Sequence, residues 1–124
     1  MTVDSLAVLF FAACIGAISF QIAIVAGAPW GHLTQGGRFQ GKLPIAGRAA
    51  ALVSIIILAL MALAVSSAAG GWPNWPDWTG WVALVLQTAS TVMNWITPSR
   101  PERLLWGPIT SVMLGLAAAV VLGG

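Results

Sequence analysis

Apolar residues fall into four long runs separated by three short connections. The first run, residues 6–28, is uncharged and has one strongly polar side chain, Gln21. The second, 49–69, is uncharged, with Ser54, Ser66 and Ser67 as its polar groups. The third, 80–96, is shorter and more polar, and the fourth covers 104–122. A helix needs roughly 20 apolar residues to cross a hydrocarbon core about 30 Å thick. The first two runs meet that requirement alone; the third and fourth meet it when a flanking residue or two joins each end. Unpaired backbone groups in lipid cost several kcal/mol each, which leaves helices or closed barrels. The runs lack the alternation of a membrane barrel. The pattern therefore predicts an all-α fold, an integral membrane four-helix bundle forming one domain over residues 1–124. Its spans are expected at about 6–28, 49–69, 79–97 and 103–122.

The connections set the expected orientation. Arg38, Lys42 and Arg48 lie in the first, and Arg100 and Arg103 in the third. The second connection carries only Asp77, and Asp4 precedes the first run. Cytoplasmic loops collect Lys and Arg, so the first and third connections are expected inside. Both the N-terminus and the C-terminus then lie on the outer (periplasmic or extracellular) face.

Local chemistry supports these boundaries. Ser99-Arg100-Pro101-Glu102 reads as a capping box with proline in the first turn of the fourth helix. Glu102 is expected to complete its own cap rather than to pair with Arg38 or Arg48. Thr79 or Asp77 is suited to cap the third helix, and Gly70-Gly71 to end the second.

Composition narrows the function classes. Of 124 residues, 59% are hydrophobic and 6% charged, and the mean hydropathy is +0.94. A soluble domain carries about 25% charged residues. Five cations are too few for a nucleic-acid footprint. The single cysteine, Cys14, rules out an intramolecular disulfide and a cysteine metal site, and an apolar span leaves it inert. The N-terminal Met1-Thr2-Val3-Asp4-Ser5 lacks the positive charge of a secretory signal. The first run is therefore expected to remain in the mature protein.

Three features offer candidate chemistry. In residues 72–81, Trp72, Trp75, Trp78 and Trp81 recur every third position among prolines. Polyproline II has three residues per turn, so Trp72, Trp75 and Trp78 are expected on one face, as a ligand platform or, more simply, an interfacial aromatic belt. Trp30, Trp95 and Trp106 would form the matching inner belt. Within the spans, Gln87, Thr91 and Asn94, with Ser90, share a helical face, and Gln21 shares one with Cys14 and Ala17. They are expected to act as hydrogen-bonding glue between the first and third spans, or else to line a small polar cavity. In the first inner loop, His32 and Arg38 could converge with Arg100 and Arg103 on a lipid headgroup phosphate or small anion.

Catalysis finds little support, an enzyme working on headgroups at His32 coming third among the readings: His32 is alone, and no nucleophile–base set, phosphate loop or metal cluster is present. No enzyme activity, cofactor or metal is expected. The expected partners are membrane lipids, a second copy of the chain or another membrane protein, and not nucleic acid. Gly16 and Gly115 would permit close helix packing within the chain or between copies.

Several motifs carry a resemblance: Pro29-Trp30-Gly31-His32-Leu33-Thr34 with Gly36-Gly37-Arg38, Leu43-Pro44, Asn94, Thr97-Pro98-Ser99-Arg100-Pro101-Glu102-Arg103, Trp106 and Pro108. Together they resemble a family of small bacterial four-span membrane proteins. The resemblance implies a multi-pass protein of the bacterial inner membrane and no particular activity. Small multidrug exporters need an intramembrane glutamate, and the one glutamate here is in a loop. Dual-topology fluoride channels need a weak Lys/Arg bias, and the bias here is extreme. The expectation is a structural or accessory bundle that binds lipid or a partner, with a homo-oligomeric transporter or channel as the alternative.

Overall fold

The computed structural model describes residues 2–123. It is all-α, with four helices: α1 (Val3–Ala26), α2 (Ile45–Ala68), α3 (Asp77–Ile96) and α4 (Arg100–Gly123). Three of them, α1, α2 and α4, are long and apolar enough to cross a membrane, with mean hydropathies of 2.4, 2.7 and 1.9. The expectation of four apolar spans is thus met by three. Helix α3 has the length, but Gln87, Ser90, Thr91 and Asn94 lower its hydropathy.

The helices form a ring in chain order, each packed on the next and α4 closing on α1. Helices α2 and α4 touch across the ring, so α1 and α3 occupy its long diagonal. The neighbours run antiparallel. Ala7 and Phe10, early in α1, share a core with Met61, Ala64 and Val65, late in α2, and with Ala117 and Val120, late in α4. The start of α1, the end of α2, the start of α3 and the end of α4 therefore meet at one pole. The opposite pole carries the basic connections. There a smaller cluster of Ile24, Leu43 and Ala51, flanked by Phe20, Val25 and Phe39, underlies the first loop.

Helix ends follow local chemistry. The Thr2 hydroxyl accepts from the Ser5 N–H at 3.1 Å and starts α1 three residues before the apolar run. Gly27 closes it in the left-handed region, φ 101°. Helix α2 begins directly after Pro44, earlier than the apolar run, and this brings Arg48 into its first turn. The Arg48 Nε donates to the Val25 carbonyl at 2.8 Å, tying α2 to the end of α1. Gly70, at φ 88°, ends α2 as expected. Neither Thr79 nor Asp77 caps α3: the helix opens after Pro76 without a side-chain cap, and the Thr79 hydroxyl donates to the Pro76 carbonyl.

Two further expectations are overturned. The tryptophan loop is not one polyproline face. Asn74 adopts φ +62° and its N–H donates to the Gly71 carbonyl at 2.9 Å, making a turn, and Trp78 already belongs to α3. Trp75 packs on the core while Trp72 and Trp78 stay exposed. Nor do Gly16 and Gly115 serve close packing within the chain, since a Cβ at either would meet nothing within 4 Å.

Candidate functional site: a side-open cleft at the basic pole

The seam between α2 and α3 is the loosest helix–helix junction between chain neighbours. Its cause is side-chain size. On α2, Ala50 and Ser54 lie about 8 and 14 Å from the helix start at 1.5 Å per residue. On antiparallel α3, Ala89 and Ser90 lie about 9–11 Å from the end at the same pole. Short side chains thus face one level from both sides, and a cavity of about 940 Å³ opens there. That size is within the roughly 300–1,000 Å³ of ordinary ligand sites. Ile57, Leu86 and Met93 line it and are also exposed on the outer faces of α2 and α3, so the cavity opens sideways. A smaller apolar cavity of about 230 Å³, bordered by Trp75, Trp78 and Val82, continues the same seam toward the other pole.

Four intramembrane polar residues were expected to matter, and the structure separates them. Gln87 is buried, and its Nε2 donates to the Thr110 carbonyl on α4 at 3.1 Å. The Thr91 hydroxyl donates to the same carbonyl at 3.0 Å. The glue therefore joins α3 to α4, not to α1, because α1 and α3 lie on the long diagonal. Asn94 donates through Nδ2 to the Ser90 carbonyl at 2.7 Å, within its own helix. Gln21 lines the cavity, and its Oε1 is buried without a hydrogen-bond partner. Leaving such an acceptor unpaired costs about 1–3 kcal/mol. Gln21, Gln87 and Asn94 line the cavity; Thr91 is not part of its lining.

The rim is a folded loop. Residues Gly31–Leu33 and Gln35–Gly37 make two 3₁₀ turns. Gly31 lies so close to the loop's return that a Cβ would stand 2.2 Å from the Phe39 carbonyl oxygen, and its N–H donates to the Gly41 carbonyl at 3.0 Å. Gly37, at φ +70°, lets Ser99 approach, and the Ser99 hydroxyl donates to the His32 carbonyl at 2.7 Å. Gln35 reaches α2, its Nε2 donating to the Gly47 carbonyl at 2.7 Å.

Glu102 anchors this rim, and its role differs from the expectation. The Ser99 hydroxyl accepts from the Glu102 N–H at 3.3 Å, which is half of the capping box. The carboxylate does not return to the Ser99 N–H, which donates to the Thr97 hydroxyl instead. Glu102 Oε1 accepts from the Gly36 N–H at 3.2 Å and from the Thr97 hydroxyl. The side chain is buried and lines the cavity mouth. The Gly36 amide is therefore held by the chain's own carboxylate and is closed to an external anion.

The four proposed anion-binding residues are placed unequally. Arg38 is exposed, lines the cavity, and holds its guanidinium carbon 5.8 Å from the Phe39 ring centre. Arg103 donates from Nη1 to the Thr97 carbonyl at 2.7 Å. Arg100 is exposed, and His32 is half-buried with its carbonyl used by Ser99. Arg38 alone of the four lines the cavity.

The tryptophans of this pole are engaged rather than free. Phe20 stacks on Trp30 at 5.8 Å and meets Trp106 edge-on at 4.9 Å. Trp95 donates from Nε1 to the Ser111 hydroxyl at 2.9 Å, its ring against Gly107. Trp81 is exposed on α3. Among the described residues no three His, Cys, Asp or Glu side chains are grouped as a metal site.

Sequence reasoning passed over Ser54 as a cavity residue and gave Glu102 to its own helix. The spacing of Ala50, Ser54 and Met61 along one side of α2 was the available signal for the first. For the second, the Thr97 partner is local, but the Gly36 partner is 66 positions away and nothing near Glu102 signals it.

The fold and cleft define an all-α protein with three helices apolar enough to cross a membrane and a largely apolar cavity that carries a few polar side chains. No protein-family model matches the chain, and neither a curated protein nor a solved structure matches it.

Proposed function

We propose that this chain is a non-enzymatic integral membrane protein that takes a lipid-like amphiphile into the cleft between α2 and α3. The observation that carries this reading is the 940 Å³ cavity, open sideways where lipid would stand and polar at one end. Helix α3 is read as the fourth crossing, because Gln87 and Thr91 turn inward onto the Thr110 carbonyl. The basic pole is read as cytoplasmic, since all five cations belong to it. Both ends of the chain then face outward, and the resemblance in the loop motifs favours a bacterial inner membrane. Arg38, at the rim, is suited to a headgroup, with Arg100, Arg103 and His32 near the same surface.

The test is photocrosslinking in nanodiscs with a lipid carrying a diazirine on its acyl chain. Label concentrated on residues such as Ser54, Ile57 and Met93 supports the reading; label spread evenly over all outward helix faces ends it. Orientation is tested in intact cells by the reactivity of Arg38→Cys and Asn74→Cys with an impermeant maleimide. The native Cys14 is buried and gives little background.

A second reading, a homo-oligomeric transporter, is favoured by one observation. Gln21, Gln87 and Asn94 line the larger cavity, and a smaller one that shares Met61 and Leu86 with it continues the seam toward the other pole. Flux in liposomes that is lost in Gln87→Leu while the fold persists would favour it over the first.

A further inference from the structure

One carboxylate oxygen at the cavity mouth is unused. Both hydrogen bonds received by the Glu102 side chain fall on Oε1, from the Gly36 N–H at 3.2 Å and from the Thr97 hydroxyl. Oε2 receives none, and unlike Gln21 Oε1 it is not enclosed by the protein. The residue itself is 7% exposed and lines the cavity. A carboxylate drawn that far from water calls for a cation on its remaining oxygen.

No cation of the chain supplies it. Arg48 donates to the Val25 carbonyl and Arg103 to the Thr97 carbonyl. Lys42 lies over Gly27, Arg100 is exposed, and Arg38 stands by the Phe39 ring. Arg38 is nevertheless close at hand: it follows by two residues the glycine that Glu102 holds, and it lines the same cavity. Two residues of chain span at most ~7 Å, so a positive and a negative group stand at the level of one loop without being bonded to each other. Thr34, in that loop, is 8% exposed and lines the cavity, and its hydroxyl has no partner within the chain.

Such a pair sorts headgroups by charge. A purely anionic headgroup on Arg38 would set its charge against Glu102, and a purely cationic one on Glu102 would stand against Arg38. A zwitterion satisfies both. A primary ammonium is small and carries three N–H donors for a recessed oxygen, whereas a quaternary ammonium has no N–H to donate.

Resting on the cleft reading above, we propose that the amphiphile is a zwitterionic phospholipid with a primary ammonium, its phosphate held by Arg38 and the Thr34 hydroxyl and its ammonium by Glu102 Oε2. Its hydrocarbon lies in the apolar seam between α2 and α3.

The experiment uses the full chain in phosphatidylcholine nanodiscs carrying a trace of photoprobe. Three probes share one diazirine-bearing acyl chain and differ in headgroup: phosphoethanolamine, phosphocholine and phosphoglycerol. The readout is label on Ser54, Ile57 and Met93 relative to label on Val8 and Ile15, which are exposed on α1. The ethanolamine probe is expected to exceed the other two about 3- to 10-fold, the worth of a charge-assisted hydrogen bond at a partly wetted mouth. In Glu102→Gln, which keeps an acceptor for Gly36, its lead over the choline probe is expected to shrink to within about twofold while label stays in the cleft. Arg38→Gln is expected to lower cleft label from all three probes. Equal labelling by the ethanolamine and choline probes in the native protein overturns the inference and leaves the cleft reading standing. A lead for the glycerol probe shows an anion read by Arg38 alone and overturns it too. An undiminished ethanolamine preference in Glu102→Gln overturns the role of Glu102, and unchanged labelling in Arg38→Gln that of Arg38. Label outside the cleft for every probe removes the cleft reading itself. The comparison of headgroups on the native protein needs no variant, so a poorly folding Glu102→Gln does not blunt the test.

Discussion

The backbone N–H of Gly36 donates to Glu102 Oε1 at 3.2 Å, joining the first connection to the first turn of the last helix. Both groups are drawn away from water, so each depends on the other. Glu102→Ala is expected to destabilise the protein by about 1–3 kcal/mol, the cost of an orphaned N–H. Glu102→Gln keeps an acceptor oxygen and should lose less. Thermal unfolding of the purified protein in detergent ranks the two; equal losses would show that the contact contributes nothing.

Two glycines should respond to alanine in opposite directions. At Gly31 the added Cβ would meet backbone atoms at 2.2 and 2.6 Å, which no side-chain rotation relieves. Gly31→Ala is expected to impair folding, seen as lost monodisperse yield. Gly16, inside α1 with open space beside it, should gain about 0.5–1 kcal/mol on replacement by alanine. A large loss of stability in Gly16→Ala would mean that another surface packs there.

At Gln87 the magnitude is modest. Its amide bonds the Thr110 carbonyl, which the Thr91 hydroxyl also serves. Gln87→Leu is therefore expected to lose only about 0.6–2 kcal/mol. The double variant with Thr91→Val should lose more than the sum of the single changes, because the two donors back each other up. Strict additivity in unfolding measurements would separate them.

The tryptophans of the second connection should divide by burial. Trp75 packs on the main core, whereas Trp72 is 78% exposed. Trp75→Ala is expected to cost about 2–3 kcal/mol in detergent, below the range for a fully buried aromatic. Trp72→Ala should stay within about 0.5 kcal/mol. Any sizeable effect of Trp72 confined to lipid bilayers would place it at the headgroups.

How much of this was legible beforehand depends on distance along the chain. Helices show in the hydropathy pattern because lipid demands continuous apolar runs, and the stop at Gly70 and the start at Ser99 are written within a few residues. The extra turns of α1 and α2 were missed because Thr2 and Pro44 act as starts outside the apolar runs. Gln87 was singled out as a polar group in an apolar run, yet its partner on α4 depends on which helices are ring neighbours. Periodicity along one helix does not encode that. The turn at Asn74 defeated the three-residue tryptophan rhythm because one left-handed residue outweighs the preference of two prolines. Glu102 was assigned to its own cap; its carboxylate instead takes the nearby Thr97 hydroxyl and the Gly36 N–H, the latter two helices back along the chain.

That last contact can form only late in synthesis. Residues 31–38 leave the ribosome long before residue 102 exists, and a chain made from the N-terminus forward completes its long-range contacts only when the later partner emerges. The first hairpin can enter the bilayer with its loop unfinished, held at one side by Gln35 and Gly47 and open at the other. Only the arrival of the last helix supplies Ser99 and Glu102 to close it. The finished bundle is thus sealed by one of its last-made turns.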